Sequence, residues 1–231
     1  MRGLVRVGAA VPSLALGNVK ENMKRHLAMM REAKEKHVSI VTFPELSLTG
    51  YTCGDLFFQR RLLDDVTDAL LTLKNEMPEG ILAVVGAPLE IEGALYNCAV
   101  VLHKGEIISA VPKTFLPNNG EFYEKRWFQS GDARRDASVA IPKLKTDVCR
   151  QAIFETEDGV RFGIELCEDL WAPLPPSTML SVEGAEIIRA AEQARVPPAA
   201  HQPAERALPV RVCVRFGGHG RIVLRPCVFR A

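Results

Sequence analysis

The stretch Phe162-Gly163-Ile164-Glu165-Leu166-Cys167-Glu168-Asp169-Leu170-Trp171 changes its pattern at Cys167. From Val160 to Leu166, apolar side chains alternate with polar or small ones, and this period of two indicates a β-strand. Asp158-Gly159 is a strong hairpin signal, so we expect Gln151 to Phe154 to pair with this strand. A cysteine at the end of a strand, where the chain turns, is held rigidly and left open to a ligand. Cys167 is therefore a candidate nucleophile, although a lone cysteine is more often a small buried hydrophobe.

The composition is that of one large α/β domain. The chain has 231 residues, 25% of them charged, with a formal net charge of +1, so nothing indicates nucleic acid or an anionic membrane as a partner. Six scattered cysteines form no Cys-x-x-Cys pair, and the five histidines form no ligand pair at helical spacing. We therefore expect a reduced, soluble, cytoplasmic protein with no metal site and no apolar run of the roughly 20 residues that span a bilayer.

The first elements are a strand, a helix and a second strand. Leu4 to Val11 predicts the first strand, and Asn18 with Glu21 three residues later has the pattern of a helix N-terminal capping box. The helix is expected to end near His37, and Val38 to Phe43 is an apolar, β-branched run that predicts a buried strand. The apolar stripe of the helix is Val19, Met23, Leu27, Met30 and Ala33.

Glu45 follows this second strand at its carboxyl end, the general location of ligand sites in α/β sheets. A carboxylate walled by Phe43, Leu46 and Tyr51 would be partly desolvated, which raises its pKa toward the value that a general base needs near neutral pH. A solvated acid in a surface loop is the alternative, and this stretch alone does not separate the two.

The middle of the chain predicts a helix and then several strands. The helix covers Asp55 to Lys74, and Ile81 to Ala87 is a strand. Leu95 to His103 and Ile107 to Val111 flank a Lys104-Gly105 turn and predict a hairpin. This order of elements fits a layered α/β sandwich.

Lys113 comes directly after that hairpin and could reach into a pocket as a fixed cation, or extend to solvent as most lysines do.

Residues Phe115 to Phe128 are loop-like and rich in aromatics, which suggests the wall of a small-molecule pocket. We expect Gly131 to Asp147 to be a surface excursion.

Several segments together resemble the nitrilase (carbon–nitrogen hydrolase) superfamily. They are Phe43-Pro44-Glu45-Leu46 with Thr49-Gly50-Tyr51, Pro112-Lys113 with Leu116-Pro117, and Cys167-Glu168-Asp169. Longer strings are similar to the glutaminase domain of glutamine-dependent NAD(+) synthetases over about residues 3 to 188; they are Gly50 to Phe57, Glu121 to Phe128 and Leu166 to Trp171. The resemblance implies a four-layer α-β-β-α sandwich, incomplete at the C-terminus.

The same resemblance implies a mechanism with a thioester intermediate. Cys167 would be the nucleophile, Glu45 its general base, and Lys113 with the backbone N–H of Glu168 the oxyanion stabilisers. Glu124 matches an additional acid that positions these catalytic groups.

The implied substrate is L-glutamine. Tyr51 and Phe122 match positions that line the pocket for its side chain, and Glu168 would help to bind its amino group. Asn119 occupies a position where many members carry an aromatic residue. The glutaminase step would need no cofactor, whereas ATP and Mg belong to a synthetase domain whose pyrophosphatase loop this sequence lacks. A synthetase domain or polypeptide is an expected partner, and association into a homo-oligomer is a second expectation.

The pattern departs from the family near Arg189. Residues 189–231 contain eight Arg, no Lys and no Asp, and are rich in Ala and Pro. We hypothesise that residues 1–188 form the domain and that the tail results from a reading-frame change or a gene fragment; the alternative is a native, divergent tail. Val210 to Val214 and Arg221 to Leu224 are candidate short strands.

Of three functions, the resemblance favours the first. The first is a glutaminase that supplies ammonia for NAD(+) synthesis, and the second is a stand-alone amidase for another small amide. The third is an inactive truncated fragment or a scaffold that binds a partner without hydrolysis.

Overall fold

The computed structural model describes residues 5–133, 138–141, 143–149, 152–156, 159–191, 212–214 and 225–227. The helices are Val19–Glu35 (α1), Arg60–Glu76 (α2), Glu124–Trp127 (α3) and Pro176–Val182 (α4). Short 3₁₀-helices lie at Gly54–Phe58, Gly131–Ala133 and Cys167–Trp171. The strands are Val7–Ala9 (β1), Ile40–Thr42 (β2), Leu82–Ile91 (β3), Ala94–His103 (β4), Glu106–Pro112 (β5), Ser138–Ile141 (β6), Thr146–Cys149 (β7), Ile153–Glu155 (β8), Arg161–Leu166 (β9), Ile187–Ala191 (β10), Val212–Val214 (β11) and Arg225–Cys227 (β12).

The described strands form two sheets. The larger sheet has the order β1-β2-β3-β4-β5-β7-β6, in which β1, β2 and β3 are parallel and β3, β4 and β5 are antiparallel. The smaller sheet has the order β11-β10-β9-β8-β12, and its central strands β9 and β10 are parallel. Because β2 and β9 both end where a functional candidate follows, the sheets set the position of the site.

Alternation along the strands divides the core into layers. Val85 of β3 packs with α1 and α2 on the outer face of the larger sheet, whereas Val84 faces the smaller sheet. On β9, Phe162 and Ile164 lie in the core between the sheets, while a Cβ at Gly163 would meet Leu180 of α4. The expected four-layer α-β-β-α sandwich is confirmed.

The N-terminal helix is built as predicted. The Asn18 side chain accepts a hydrogen bond from the backbone N–H of Glu21, which satisfies one of the free donors of the first turn. The predicted stripe is the packed face, with Met23 half-buried and its four other members buried.

The second helix differs from the expectation. Instead of one helix over Asp55 to Lys74, a 3₁₀-helix precedes α2, and Gln59 between them is extended, with φ −78° and ψ 117°. This break lets the ring of Phe57 turn into the core, where it packs 5.0 Å from the ring of Phe128.

The hairpins around the turns were predicted correctly. Lys104 and Gly105 both adopt positive φ values, of 49° and 75°, between β4 and β5, as a two-residue hairpin turn of this twist requires. Strands β8 and β9 pair antiparallel, and Gly159 has a φ of 76° in their connection; Gln151 and Asp158 lie outside the described residues. Strand β3 continues to Ile91, beyond the predicted end.

The expected surface excursion at 131–147 is wrong in part, because β6 and β7 extend the larger sheet next to β5. Ile141, Leu144 and Val148 are buried in the core under α2. These three apolar residues provide the burial that makes the segment part of the sheet.

Strand β10 runs three residues beyond the predicted domain boundary at residue 188, which stays a prediction. Its Arg189 is fully buried and reaches across to the larger sheet, where Nε donates to Thr42 Oγ1 at 2.8 Å and Nη2 donates to the Gly8 carbonyl at 2.9 Å. Burial lowers the pKa of Arg189 to about 10. Strand β11 falls within the predicted strand at 210–214, whereas 221–224 lies outside the described residues.

No helix in the described ranges is long and apolar enough to cross a membrane. The same ranges contain no group of three or more His, Cys, Asp or Glu side chains that could hold a metal ion.

Candidate active site

Glu45 lies in a tight turn that follows β2 and is 1% exposed. The next residue, Leu46, adopts a positive φ of 50°, which bends the chain back onto β3. There the Leu48 N–H donates to the Gly86 carbonyl at 3.1 Å. A Cβ on Gly86 would lie 2.3 Å from the Pro44 carbonyl oxygen, so only glycine lets the turn lie directly on the strand.

A buried histidine fixes the same turn from the opposite side. His26 of α1 places Nδ1 2.7 Å from the Asn22 carbonyl oxygen and Nε2 2.8 Å from Ser47 Oγ. Burial lowers the pKa of His26 to about 4, so the ring is neutral and can accept from the serine hydroxyl. The helix layer therefore positions the segment that carries Glu45.

Lys113 follows β5, and its side chain turns inward and is fully buried. Its ammonium Nζ lies 2.6 Å from Glu45 Oε1 and 2.6 Å from Glu124 Oε1. Lys113 is therefore a fixed, buried cation and does not extend to solvent.

Cys167 comes directly after β9, as predicted, and begins a 3₁₀-helix. Its φ of 40° is unusual for a residue with a side chain, and such strain is typical of turns that present a nucleophile. The Asp169 carboxylate holds this turn, because it accepts from the Leu166 N–H at 3.1 Å and from the Thr114 and Phe115 N–H groups at 3.0 and 2.7 Å. One side chain thus fastens the cysteine turn to the segment after Lys113.

The buried charges act on one another. Burial and the nearby Glu124 raise the pKa of Glu45, against the opposing influence of Lys113 and Asn97. Burial opposes the charge on Lys113, but Glu45, Glu124 and Cys167 together raise its pKa above the ordinary value. Cys167 is thus within electrostatic reach of the Lys113 ammonium, which joins Glu45 and Glu124 in one buried cluster.

Tyr51 and Phe122 lie at the edge of this cluster. The Tyr51 hydroxyl donates to Glu124 Oε1 at 2.6 Å, and its ring meets Phe122 edge to face, with the centroids 6.3 Å apart. Burial and the Glu124 charge raise the pKa of Tyr51, so the phenol keeps its proton and remains a donor. Tyr51 therefore orients Glu124 as well as lining the site.

Glu168 is not part of the buried cluster. It is half-buried and lines a neighbouring cavity of about 420 Å³ together with Phe115, Lys125 and Trp171. The predicted aromatic wall at Phe115 to Phe128 is therefore divided, because Trp127 and Phe128 instead pack on Phe57 next to a separate cavity of about 460 Å³. Asn119 is exposed.

Sequence reasoning missed one residue in contact with the cluster. Asn97 of β4 is 1% exposed, and its Nδ2 donates to Glu45 Oε1 at 2.6 Å. A polar residue in the apolar run that follows Leu95-Tyr96 was a usable signal, since buried polar groups need partners. No local sequence pattern indicates the positioning roles of Gly86, His26 and Asp169.

Comparison with known proteins agrees with this fold. Residues 6–211 match the family model of the carbon–nitrogen hydrolases. A variant of the Nesterenkonia AN1 amidase from the nitrilase superfamily shares the fold, with a TM-score of 0.63 at 16% identity over 84% of this chain and 67% of that chain. The chain belongs to the carbon–nitrogen hydrolase family.

Within that family, the chain is similar to one part of the glutamine-dependent NAD(+) synthetases. It is 36% identical over 189 residues to that of Mycobacterium tuberculosis, which covers 80% of this chain and 28% of the relative. The Arabidopsis thaliana synthetase is 34% identical over 180 residues, covering 73% and 24%. A crystal structure of the Cytophaga hutchinsonii synthetase has a TM-score of 0.70 at 27% identity, covering 83% and 30%. The chain spans about a quarter of the length of the curated relatives.

Proposed function

We propose that this chain hydrolyses the side-chain amide of L-glutamine and releases ammonia, as the ammonia-supplying part of NAD(+) synthesis. The observation that carries the proposal is the buried cluster of Glu45, Lys113 and Glu124 beside the strained Cys167. The names of the relatives supply the substrate, because they are described as glutamine-dependent.

The first step is attack by sulfur. Glu45 Oε1 accepts from Lys113 and Asn97, whereas Oε2 is buried and has no hydrogen-bond partner among the described residues. This second oxygen takes the proton of the Cys167 thiol as sulfur bonds to the amide carbon and the carbonyl π electrons move to oxygen. Because burial raises the pKa of Glu45, the carboxylate is a strong enough base for this transfer.

The negative oxygen of the tetrahedral intermediate needs donors. Lys113 has three N–H bonds, and two of them point to Glu45 and Glu124, which leaves the third for the oxyanion. The backbone N–H of Glu168 is the second donor. Glu124 holds the ammonium in place and is itself held by the Tyr51 hydroxyl.

The intermediate then collapses to a thioester. The carbon–nitrogen bond breaks, and Glu45 returns its proton to the departing nitrogen, so that ammonia leaves. A water molecule gives a proton to Glu45 and attacks the thioester carbon; the carbon–sulfur bond breaks, glutamate is formed, and the proton returns to Cys167. These steps need no cofactor.

Substrate recognition uses the groups around the cluster. Tyr51 and Phe122 line the pocket for the glutamine side chain, and the Glu168 carboxylate binds the amino group. A synthetase domain or polypeptide would consume the ammonia with ATP and Mg²⁺. A reducing, cytoplasmic compartment suits this chemistry, because Cys167 must remain a thiol.

Ammonia release from glutamine, asparagine and simple amides tests the proposal. We expect glutamine to be the preferred substrate and Cys167→Ala to lose turnover, with the matched variant Cys149→Ala, at another described thiol, retaining it. A glutamine-like electrophile should add its mass at Cys167 alone. Normal turnover in Cys167→Ala would refute the mechanism, and preference for a simple amide would make the chain an amidase of another substrate. A purified chain without a cooperative unfolding transition would indicate an inactive fragment.

A further inference from the structure

Asn97 is the neutral side chain that contacts both acids of the cluster. It lies on β4 opposite Pro88 of β3, and its own backbone carbonyl accepts from the Lys113 N–H at 2.8 Å. Its amide Nδ2 lies 2.6 Å from Glu45 Oε1 and 3.5 Å from Glu124 Oε2. The side chain therefore bridges two carboxylates that Lys113 also bridges.

An amide suits this position for a physical reason. Its NH₂ group has two donors in a fixed plane, so it can serve two carboxylates without adding a charge. The cluster already holds two acids and one ammonium. A further acid at this position would repel Glu45 and Glu124, because a nearby negative charge raises the pKa of a carboxyl group. A second cation would hold both carboxylates ionised and weaken the base.

The bond to Glu45 also selects which oxygen reacts. With Lys113 and Asn97 both on Oε1, the carboxylate cannot rotate without breaking two hydrogen bonds, each to a charged group and worth about 1.5–3 kcal/mol. The unpartnered Oε2 is thereby kept facing away from both donors. A carboxylate that accepted from Lys113 alone would be free to turn about that single contact.

We propose that Asn97 is a positioning residue. Its hydrogen bond holds Glu45 Oε1 in place, so that Glu45 Oε2 receives the thiol proton. This inference rests on the proposed function, since it assigns Glu45 as the base. Asn97 contacts no substrate in this mechanism and acts through the two carboxylates.

Two variants separate an electrostatic role from a merely structural one. Asn97→Leu removes the donor without adding charge, whereas Asn97→Asp keeps the shape and places a third carboxylate against Glu45 and Glu124. If Asn97 only fills space, Asn97→Asp should be the milder change. If it acts on the carboxylates, Asn97→Asp should be the more severe one.

The first measurement is the pH profile of kcat and of kcat/KM for glutamine. We expect Asn97→Leu to lower kcat about 10- to 100-fold with little change in KM, as loss of orientation at a general base does. The acid limb should move to higher pH, further for Asn97→Asp than for Asn97→Leu, because hydrogen bonding from Asn97 opposes protonation of Glu45. The charged groups that contact Asn97 are Glu45, Glu124 and Lys113, the last through its backbone N–H. Tyr51 and Cys167 act on these groups electrostatically.

The second measurement does not require glutamine turnover. The rate at which iodoacetamide alkylates Cys167, followed by mass spectrometry across pH, reports how readily Glu45 accepts the thiol proton. If the wild-type chain releases no ammonia from glutamine, the proposed function fails, yet a shifted alkylation profile in the Asn97 variants still supports the positioning role.

The control is Ser109→Ala, which removes the hydrogen bond of another buried side chain of the same sheet, from Ser109 Oγ to the Asp147 carbonyl. We expect this control to lower the thermal midpoint without moving either pH profile. Asn97 variants that fold and keep kcat and both profiles within about twofold of wild type would overturn the inference. A milder effect for Asn97→Asp than for Asn97→Leu would overturn it as well.

Discussion

Substitution of Gly86 by alanine tests how the fold holds the proposed base. The added Cβ would lie 2.3 Å from the Pro44 oxygen, 2.4 Å from the Leu46 nitrogen and 2.8 Å from the Glu45 carbonyl carbon. All three are backbone atoms of one turn, so no side-chain rotation relieves the contact. The turn must move as a unit, by about 1 Å, to reach the ordinary contact distance of 3.4 Å or more.

A shift of that size separates Glu45 from its donors. Glu45 Oε1 is 2.6 Å from both Lys113 Nζ and Asn97 Nδ2, and a further 1 Å exceeds hydrogen-bond distance. Misplacement of a catalytic group by about 1 Å costs on the order of 10²-fold in rate. Overpacking costs about 1–3 kcal/mol in stability, so the variant should still fold at 25 °C if the parent has ordinary stability.

The assay is glutamine-dependent ammonia release together with the alkylation rate of Cys167, both measured well below the thermal midpoint. Gly8→Ala is the matched control, because the atoms nearest to its Cβ belong to the Val38 side chain, at 3.1 Å and beyond, and not to the turn that carries Glu45. We expect Gly86→Ala to lose about 100-fold in kcat while Gly8→Ala stays near wild type. A folded Gly86→Ala protein with wild-type kcat would refute the view that this glycine sets the position of Glu45.

Two further predictions concern buried groups that stabilise or destabilise the domain. His26 has a pKa of about 4 in the folded chain against 6.5 ordinarily, so it contributes stability above pH 6.5 that is lost as pH falls toward 4. The raised pKa values of Asp169, Glu45 and Glu165 act in the opposite direction over this range, so the measurement is the difference between two proteins. In urea unfolding, the wild type should lose about 3 kcal/mol more stability than His26→Gln between pH 7 and pH 4; equal changes would contradict the assignment. Arg189 is a buried guanidinium that donates hydrogen bonds to a hydroxyl and to carbonyl oxygens, and its Nη1 has no partner in the described residues. Arg189→Leu should raise the free energy of unfolding by about 1–4 kcal/mol, and a loss of stability would show that its bonds to Thr42 and Gly8 outweigh the cost of burying the charge.

Local patterns predicted many of the elements and the chemistry of the site. Alternation upstream of Cys167 predicted β9, and the capping pattern at Asn18 predicted the start of α1, because both signals depend on residues a few positions apart. Glu45 and Lys113 were identified for a related reason, since each follows directly on a strand end. The expected surface excursion at 131–147 was wrong in part, because a short strand has too few residues for its burial to appear as a clear period.

Only the folded chain decides what surrounds these residues. Asn97 and Glu45 are 52 positions apart, and Asp169 is 55 positions from Thr114, yet both pairs are in hydrogen-bond contact. Periodicity states which face of a strand is buried, but it does not state which loop lies on that face. The sequence therefore predicted the functional residue types and their positions after strand ends. The pairing of Glu45 with Asn97 depends on how two distant segments pack against one sheet, which only the tertiary structure decides.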